Sequence, residues 1–231
     1  MLESLKEEVL AANLMLPRYG LVTFTWGNVS GIDPERRRVV IKPSGVEYDR
    51  LTPSDMVVVE LATGKKLEGA LAPSSDTATH LVIYRMDPAI GGVVHTRARY
   101  AAAWAQACRP IPALGTTHAD DFYGEIPCTR PLTAGEIESD YEANTGRVIA
   151  ETFRGRDAMA VPAVLVASHG PFLWERSPVA AAKKAVILEE TARIAYYTEV
   201  LAGGPRPPIS QSLLDRHYLR KHGKNAYYGQ K

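Results

Sequence analysis

Two apolar runs in this chain end in imidazoles. Gly91-Gly92-Val93-Val94 leads into His95-Thr96-Arg97, and Ala163-Val164-Leu165-Val166-Ala167 leads through Ser168 into His169-Gly170. Each run reads as a short buried strand delivering its histidine to one end of a sheet. Side chains alternate along a strand, so His95 and Arg97 are expected on the same side. Asp76, in Ser74-Ser75-Asp76 at the start of a helix, adds a carboxylate. Two nitrogens and one oxygen suit zinc, with positions left open for water or substrate. A helix cap and two packed histidines account for the same residues. No local spacing chooses between these readings.

A second set suits an anion such as phosphate. Gly27-Asn28 offers a tight backbone and an amide, Lys42-Pro43-Ser44-Gly45 a cation, a hydroxyl and a free N–H, and Ser74-Ser75 two hydroxyls at a helix amino terminus. Taken singly, each is also an ordinary turn or cap. A third set, Thr116-Thr117-His118-Ala119-Asp120-Asp121, places two carboxylates beside a histidine on what reads as a polar loop, and so offers an acid or a base. The tail adds His217-Tyr218-Leu219-Arg220-Lys221-His222 and Tyr227-Tyr228. It carries more aromatics than a disordered tail usually does, and is expected to fold over something, such as another subunit.

The elements that must position these residues follow from the periodicities. Leu2, Leu5, Val9, Ala12 and Leu16 fall at helical spacing, stopped by Pro17 and Gly20. Residues 39–41 and 56–61 read as strands, with a return strand near Leu67. Helices follow from Ser74 to Asp87, from 98 to 107, from 138 to 153 and from 179 to 201. Residues 109–135 read as long loops with a short strand near Ile126. The expectation is a mixed α/β fold: a single domain over 1–231, with a central, mainly antiparallel β-sheet flanked by helices. The tail, 209–231, is expected to pack at a subunit interface.

The bulk numbers exclude several classes. With 231 residues, 27 basic against 26 acidic side chains and a net charge of +1, nothing favours nucleic acid or an anionic membrane. The amino terminus carries charges where a signal peptide needs an apolar core, and no apolar run reaches the roughly 20 residues of a spanning helix. Two cysteines, Cys108 and Cys128, match no zinc or redox spacing. A reduced, cytoplasmic setting is expected. No P-loop or dinucleotide fingerprint is present.

Together these segments resemble the class II aldolase/epimerase superfamily, and within it the L-ribulose-5-phosphate 4-epimerases. The likeness rests on LVTFTWGNVS at 21–30, IKPSGVEY at 41–48, PSSDT at 73–77, GTTHADDFYG at 115–124, SHGPF at 168–172, and HYLRKHG with AYYGQ at the carboxyl end. The THAD segment and the tail are its specific parts. The resemblance implies a homotetramer of four-fold symmetry acting on a small sugar phosphate, with active sites between subunits. On matching positions, Asp76, His95 and His169 are implied zinc ligands. Asn28, Lys42, Ser44, Gly45, Ser74 and Ser75 are the implied phosphate pocket. Asp120 and Tyr228 are the implied acid/base pair. The neighbouring subunit is expected to lend Asp120, Tyr228, His217 and Arg220.

One position departs. The family pattern is His-x-His, and here it reads His95-Thr96-Arg97. Arginine stays protonated and offers no lone pair, so it cannot replace an imidazole ligand. Weakened or lost zinc binding is therefore expected, with either impaired epimerisation or a guanidinium that partly substitutes for the metal. Two other members of the superfamily stay open. One is a class II sugar-phosphate aldolase of the fuculose or rhamnulose phosphate type. The other is a catalytically weak assembly module like the adducin head domain.

Overall fold

A computed structural model of the chain describes residues 2–228; the tail expectations that extend to Gly229, Gln230 and Lys231 lie outside them, as does Met1. Seven antiparallel strands form one sheet: β1 (Asn28–Ile32), β2 (Arg38–Ile41), β3 (Val57–Glu60), β4 (Lys66–Glu68), β5 (Gly92–His95), β6 (Ala163–Val166) and β7 (Gly170–Glu175). Their order is β4-β3-β2-β1-β5-β7-β6. The helices are α1 (Leu2–Arg18), α2 (Thr77–Met86), α3 (Arg99–Gln106), α4 (Thr116–Ala119), α5 (Ala134–Glu138), α6 (Tyr141–Thr152), α7 (Pro178–Leu201) and α8 (Gln211–His222).

Apart from the exposed edge strand β4, both faces of the sheet are buried, and the strands sort their side chains with period two. Val29, Val40, Val58, Val94, Leu165 and Leu173 face one core, which α1, α3 and α7 complete. Val39, Ile41, Val57, Val93, Val164, Phe172 and Trp174 face the other, beneath α2 and α6. On β5, His95 follows Val94 and so shares the second side with Val93, stacked on Phe172 at 4.2 Å between ring centroids.

The mainly antiparallel sheet was legible, but β1 and β7 were not. Ser30 and Gly31 hide β1 from a reading by apolar alternation, although all five of its residues are buried. Pro171 argues against a central strand, since it donates nothing to a ladder. It is tolerated because it sits at the hairpin end of β7, where its carbonyl accepts from the Thr96 N–H at 3.4 Å. The expected helix over 138–153 is α6; the short helix α5, with a Thr133/Glu136 capping box, precedes it across a break at Ser139 and Asp140 and was not expected. The Thr116 segment, expected as a loop, is the four-residue helix α4.

Register puts the chemistry at one end of the sheet. Asn28 opens β1 directly opposite His95, which closes β5. Lys42 follows the last residue of β2. The turn after Lys42 is pinned to the turn before α2 by Ser74 N–H to Lys42 carbonyl at 3.1 Å and Ser44 N–H to Ala72 carbonyl at 3.0 Å. His169 sits in the tight hairpin between β6 and β7, after Ser168 with φ of 61°. Gly27 is required where the chain enters β1. Its φ is 73°, and a Cβ there would lie 2.8 Å from the His95 carbonyl oxygen.

Asn13 ties α1 to this end. It is fully buried, accepts from the Val29 N–H at 2.9 Å, and donates to the Val29 and Val9 carbonyls at 3.0 and 2.8 Å. Asn13→Ala strands those backbone groups without water. It is expected to lower stability in urea denaturation by about 2–3 kcal/mol; a loss under about 0.5 kcal/mol, the scale of a surface change, would contradict the pinning role.

Candidate active site

A cavity of about 250 Å³ opens at that end of the sheet, lined by Asn28, Lys42, Ser44, Gly45, Ser74, Ser75, Asp76, His95 and Arg97. Both the expected anion pocket and two of the three expected metal ligands therefore share one space. His169 flanks it, 4.8 Å from His95 between ring centroids and edge-on.

Lys42 is the cavity's buried cation, only 1 % exposed. Its ammonium lies 4.9 Å from the Tyr48 ring centre and donates to the Pro43 carbonyl at 3.3 Å, with no carboxylate in ion-pair range among the described residues. Burial pushes its pKa down to about 8, slightly opposed by Glu47. A desolvated lysine without a counter-ion, set among hydroxyls, has the chemistry to take an anion. Asn28 shares the wall; its amide donates to Ser74 Oγ at 3.0 Å and Asp76 Oδ2 at 2.7 Å, and its own oxygen is buried with no partner.

Asp76 occupies the capping position of α2, yet its side chain caps nothing. The carboxylate turns instead to Asn28 and the imidazoles. Burial raises its pKa, but the charges of His95 and His80 and the Asn28 hydrogen bond outweigh this and hold the carboxyl below its ordinary value.

His95 is 1 % exposed, and its Nδ1 lies 3.0 Å from the Pro171 carbonyl. A carbonyl only accepts, so Nδ1 carries the proton and Nε2 presents a bare lone pair. That lone pair is buried and has no partner. This is the set of a ligand imidazole, its tautomer fixed by the backbone behind it. His169 is set differently. Its Nε2 lies 3.4 Å from Arg97 Nη2, which can only donate, and its Nδ1 lies 3.4 Å from the Tyr141 hydroxyl.

Arg97 lies beyond the end of β5 and is exposed, whereas His95 is buried, yet both line the one cavity, on the side expected for them. The guanidinium returns to the imidazoles and takes the His169 lone pair. Among the described residues, no three His, Cys, Asp or Glu side chains converge closely enough to hold a metal ion. The donors Asp76, His95 and His169 have the right chemistry for zinc, but with Arg97 as placed they do not fit a tightly held ion.

Asp120, Tyr228, His217 and Arg220 form a separate group, absent from the cavity lining. Helix α8 packs on α4 of its own chain, with Leu214 buried against Ala113 and Ala119. The Asp120 carboxylate accepts from His217 Nδ1 at 3.0 Å and from Arg220 Nη2 at 2.8 Å, with Lys221 Nζ at 3.5 Å. Partial burial pushes its pKa up, but the Arg220 and His217 hydrogen bonds win and hold it below the usual value. The Tyr228 ring lies 4.7 Å from the Arg220 guanidinium carbon.

Three neighbours escaped the sequence reading. His80 is fully buried on α2, bonded to Ser30 Oγ at 2.8 Å, with its other nitrogen unpartnered. Lys184, from α7, is nearly buried and pairs with Asp121 at 3.0 Å and Glu175 at 3.6 Å. A lysine interrupting the apolar face of a long helix was the available signal for the second. Nothing in the spacing marked Tyr141.

The family described as class II aldolase and adducin N-terminal domain matches residues 7–196. L-ribulose-5-phosphate 4-epimerase UlaF of Salmonella paratyphi B is 54% identical, with 100% of both chains covered. The protein of that name from Salmonella typhi matches equally, at 54% over 100% of each chain. Among solved structures, an L-fuculose 1-phosphate aldolase superposes with a TM-score of 0.76 at 25% identity, covering 93% of this chain and 94% of that one. Another, from Glaciozyma antarctica, reaches a TM-score of 0.77 at 18% identity over 97% and 84%. At that identity it bears on the fold alone.

The Lys42 environment generates a pH prediction. Below about 8 the ammonium is charged and attracts an anion; above it the amine is neutral. Binding of inorganic phosphate, followed by calorimetry, is expected to weaken as pH rises through that value. Lys42→Met should weaken it by about 10- to 100-fold at pH 7 and flatten the pH dependence. Unchanged affinity in that variant would remove Lys42 from the anion site.

Proposed function

The chain belongs to the class II aldolase and adducin N-terminal domain family, and on that premise we propose that it inverts C4 of L-ribulose 5-phosphate to give D-xylulose 5-phosphate. The observation that carries this is the cavity, lined by both a buried lysine without an ion pair and a buried imidazole lone pair without a partner. One end suits a phosphate and the other the oxygens of a short polyol.

The route follows from where the carbonyl stands. It is at C2, so a proton on C4 is not acidic, and direct removal gives no stabilised anion. Breaking C3–C4 does. One residue takes the C4 hydroxyl proton, C4 becomes an aldehyde, and the C3–C4 electron pair moves onto the C2 oxygen through an enediolate. The two-carbon aldehyde turns over while its phosphate stays held, and the bond re-forms on its other face. Lys42, Ser44, Gly45, Ser74, Ser75 and Asn28 hold the phosphate. Asp120 and Tyr228 handle the proton, one on each face. His217 and Arg220 set the Asp120 carboxylate.

Members of this family typically depend on a metal. Asp76, His95 and His169 carry the donor atoms with which zinc would act as a Lewis acid, but with Arg97 on His169 they do not fit a tightly held ion.

The two residue groups lie apart within one chain, which supports sites shared between copies in a homotetramer, α8 carrying its group across. Exposed Phe24, Val200 and Leu201 also favour assembly.

Incubation with L-ribulose 5-phosphate is expected to yield D-xylulose 5-phosphate, and L-fuculose 1-phosphate should not be cleaved. Efficient cleavage of the latter would make this a sugar-phosphate aldolase. Asp120→Asn and Tyr228→Phe should each lower kcat by about 10²- to 10⁴-fold. Mixing inactive Asp120→Asn chains with inactive Lys42→Met chains, under conditions that exchange subunits, should restore part of the activity. No recovery in mixed oligomers verified by mass would place both groups in one subunit's site.

A further inference from the structure

We infer that in this chain the Arg97 guanidinium stands in place of a divalent ion: it occupies the His169 ligand position, excludes a tightly held metal, and presents the fixed positive charge to the enediolate. This rests on the epimerase reading above. Three observations carry it. Arg97 Nη2 lies 3.4 Å from His169 Nε2, so the lone pair a metal would need is already accepting a hydrogen bond. Asp76 and His95 remain, two donors where a stable zinc site uses three or four. Arg97 also lines both the 250 Å³ cavity and the neighbouring opening bordered by Trp26 and His169, so it stands where the reacting carbons of a phosphate-anchored substrate arrive.

The chemistry balances without a further reactant. The C3–C4 pair becomes the enediolate π bond, the C2 oxygen takes the charge, and the C4 hydroxyl proton passes to the protein and returns on re-formation. The guanidinium has five N–H donors in a planar fork, and one is spent on His169. Those that remain match two coplanar oxygens. His95 Nε2, buried and unpartnered, accepts from a substrate hydroxyl instead of binding a metal.

The test uses the full-length protein and Arg97→His, Arg97→Lys and Arg97→Met, each passed through dilute chelator. Zinc content and zinc titration are read beside turnover of L-ribulose 5-phosphate. The wild type should retain less than about one zinc per ten chains and Arg97→His about one per chain. Wild-type turnover should resist chelator, that of Arg97→His should need zinc, and Arg97→Met should fall about 10²- to 10³-fold with no rescue by zinc. Arg97→Lys should lie between, since it keeps the charge and loses the fork. Stoichiometric zinc on the wild type, or wild-type turnover abolished by chelator, overturns the inference. A metal-free, inactive wild type beside an active, zinc-bound Arg97→His overturns it too, while leaving the epimerase reading intact. No turnover by any of the proteins overturns the epimerase reading and with it the catalytic part; zinc titration then judges metal exclusion alone, and uptake by the wild type equal to that of Arg97→His overturns that as well.

Discussion

His95 donates from Nδ1 to the Pro171 carbonyl, 3.0 Å away, and the organisation of the cavity depends on that contact. It exists because β5 and β7 pair antiparallel with His95 opposite Phe172, so that the first turn of β7 passes behind the ring. The bond fixes one tautomer and leaves one lone pair. Phe172, stacked against the ring, stops it from rotating away. Asn28 enters by the same logic, since β1 pairs on the other side of β5 and begins opposite His95. A sheet that slipped by one residue would turn both groups to the wrong core.

Charge is distributed unevenly over the molecule. Lys42 is buried without an ion pair, and Arg97 meets only an imidazole, so the cavity sets two cations against the single carboxylate of Asp76. Asp120 has the opposite situation, one carboxylate facing Arg220, Lys221 and His217. Desolvation dominates at Lys42, while at Asp120 the hydrogen bonds and neighbouring charges together outweigh it. A cavity with an excess of cations suits an anionic substrate, and a carboxylate clamped by three donors stays ionised.

Much of this was readable in the residues, for identifiable reasons. Strand β5 and the helix after Asp76 showed through period and capping chemistry, and His95 and His169 through apolar runs that stop short. The phosphate segments were visible as three turns, but only the pairing of 42–44 with 72–74 brings them together, and that pairing is long-range. Strand β7 was hidden by Pro171, whose missing N–H is harmless at the hairpin end. Asp76 misled differently: a good capping residue sits at the cap and spends its oxygens elsewhere, because Asn28 and two imidazoles offer more than the helix does. Arg97 was marked by its residue type, while its reach to His169 depends on the chain leaving the strand at His95.

The period-two sorting of the sheet gives its two sides unequal licence. His95, Phe172 and Trp174 all face α2 and α6, so a change of volume in that layer is felt by the imidazole through side chains in contact. The layer under α1, α3 and α7 is built mostly of Ala, Val and Leu, but it includes Tyr48, whose ring meets the Lys42 ammonium. Away from Tyr48, exchanging methyl groups there is expected to cost stability first. Descendants of this chain can therefore vary more readily on one side of the sheet, while on the other even a conservative swap reaches the imidazole through its packing neighbours.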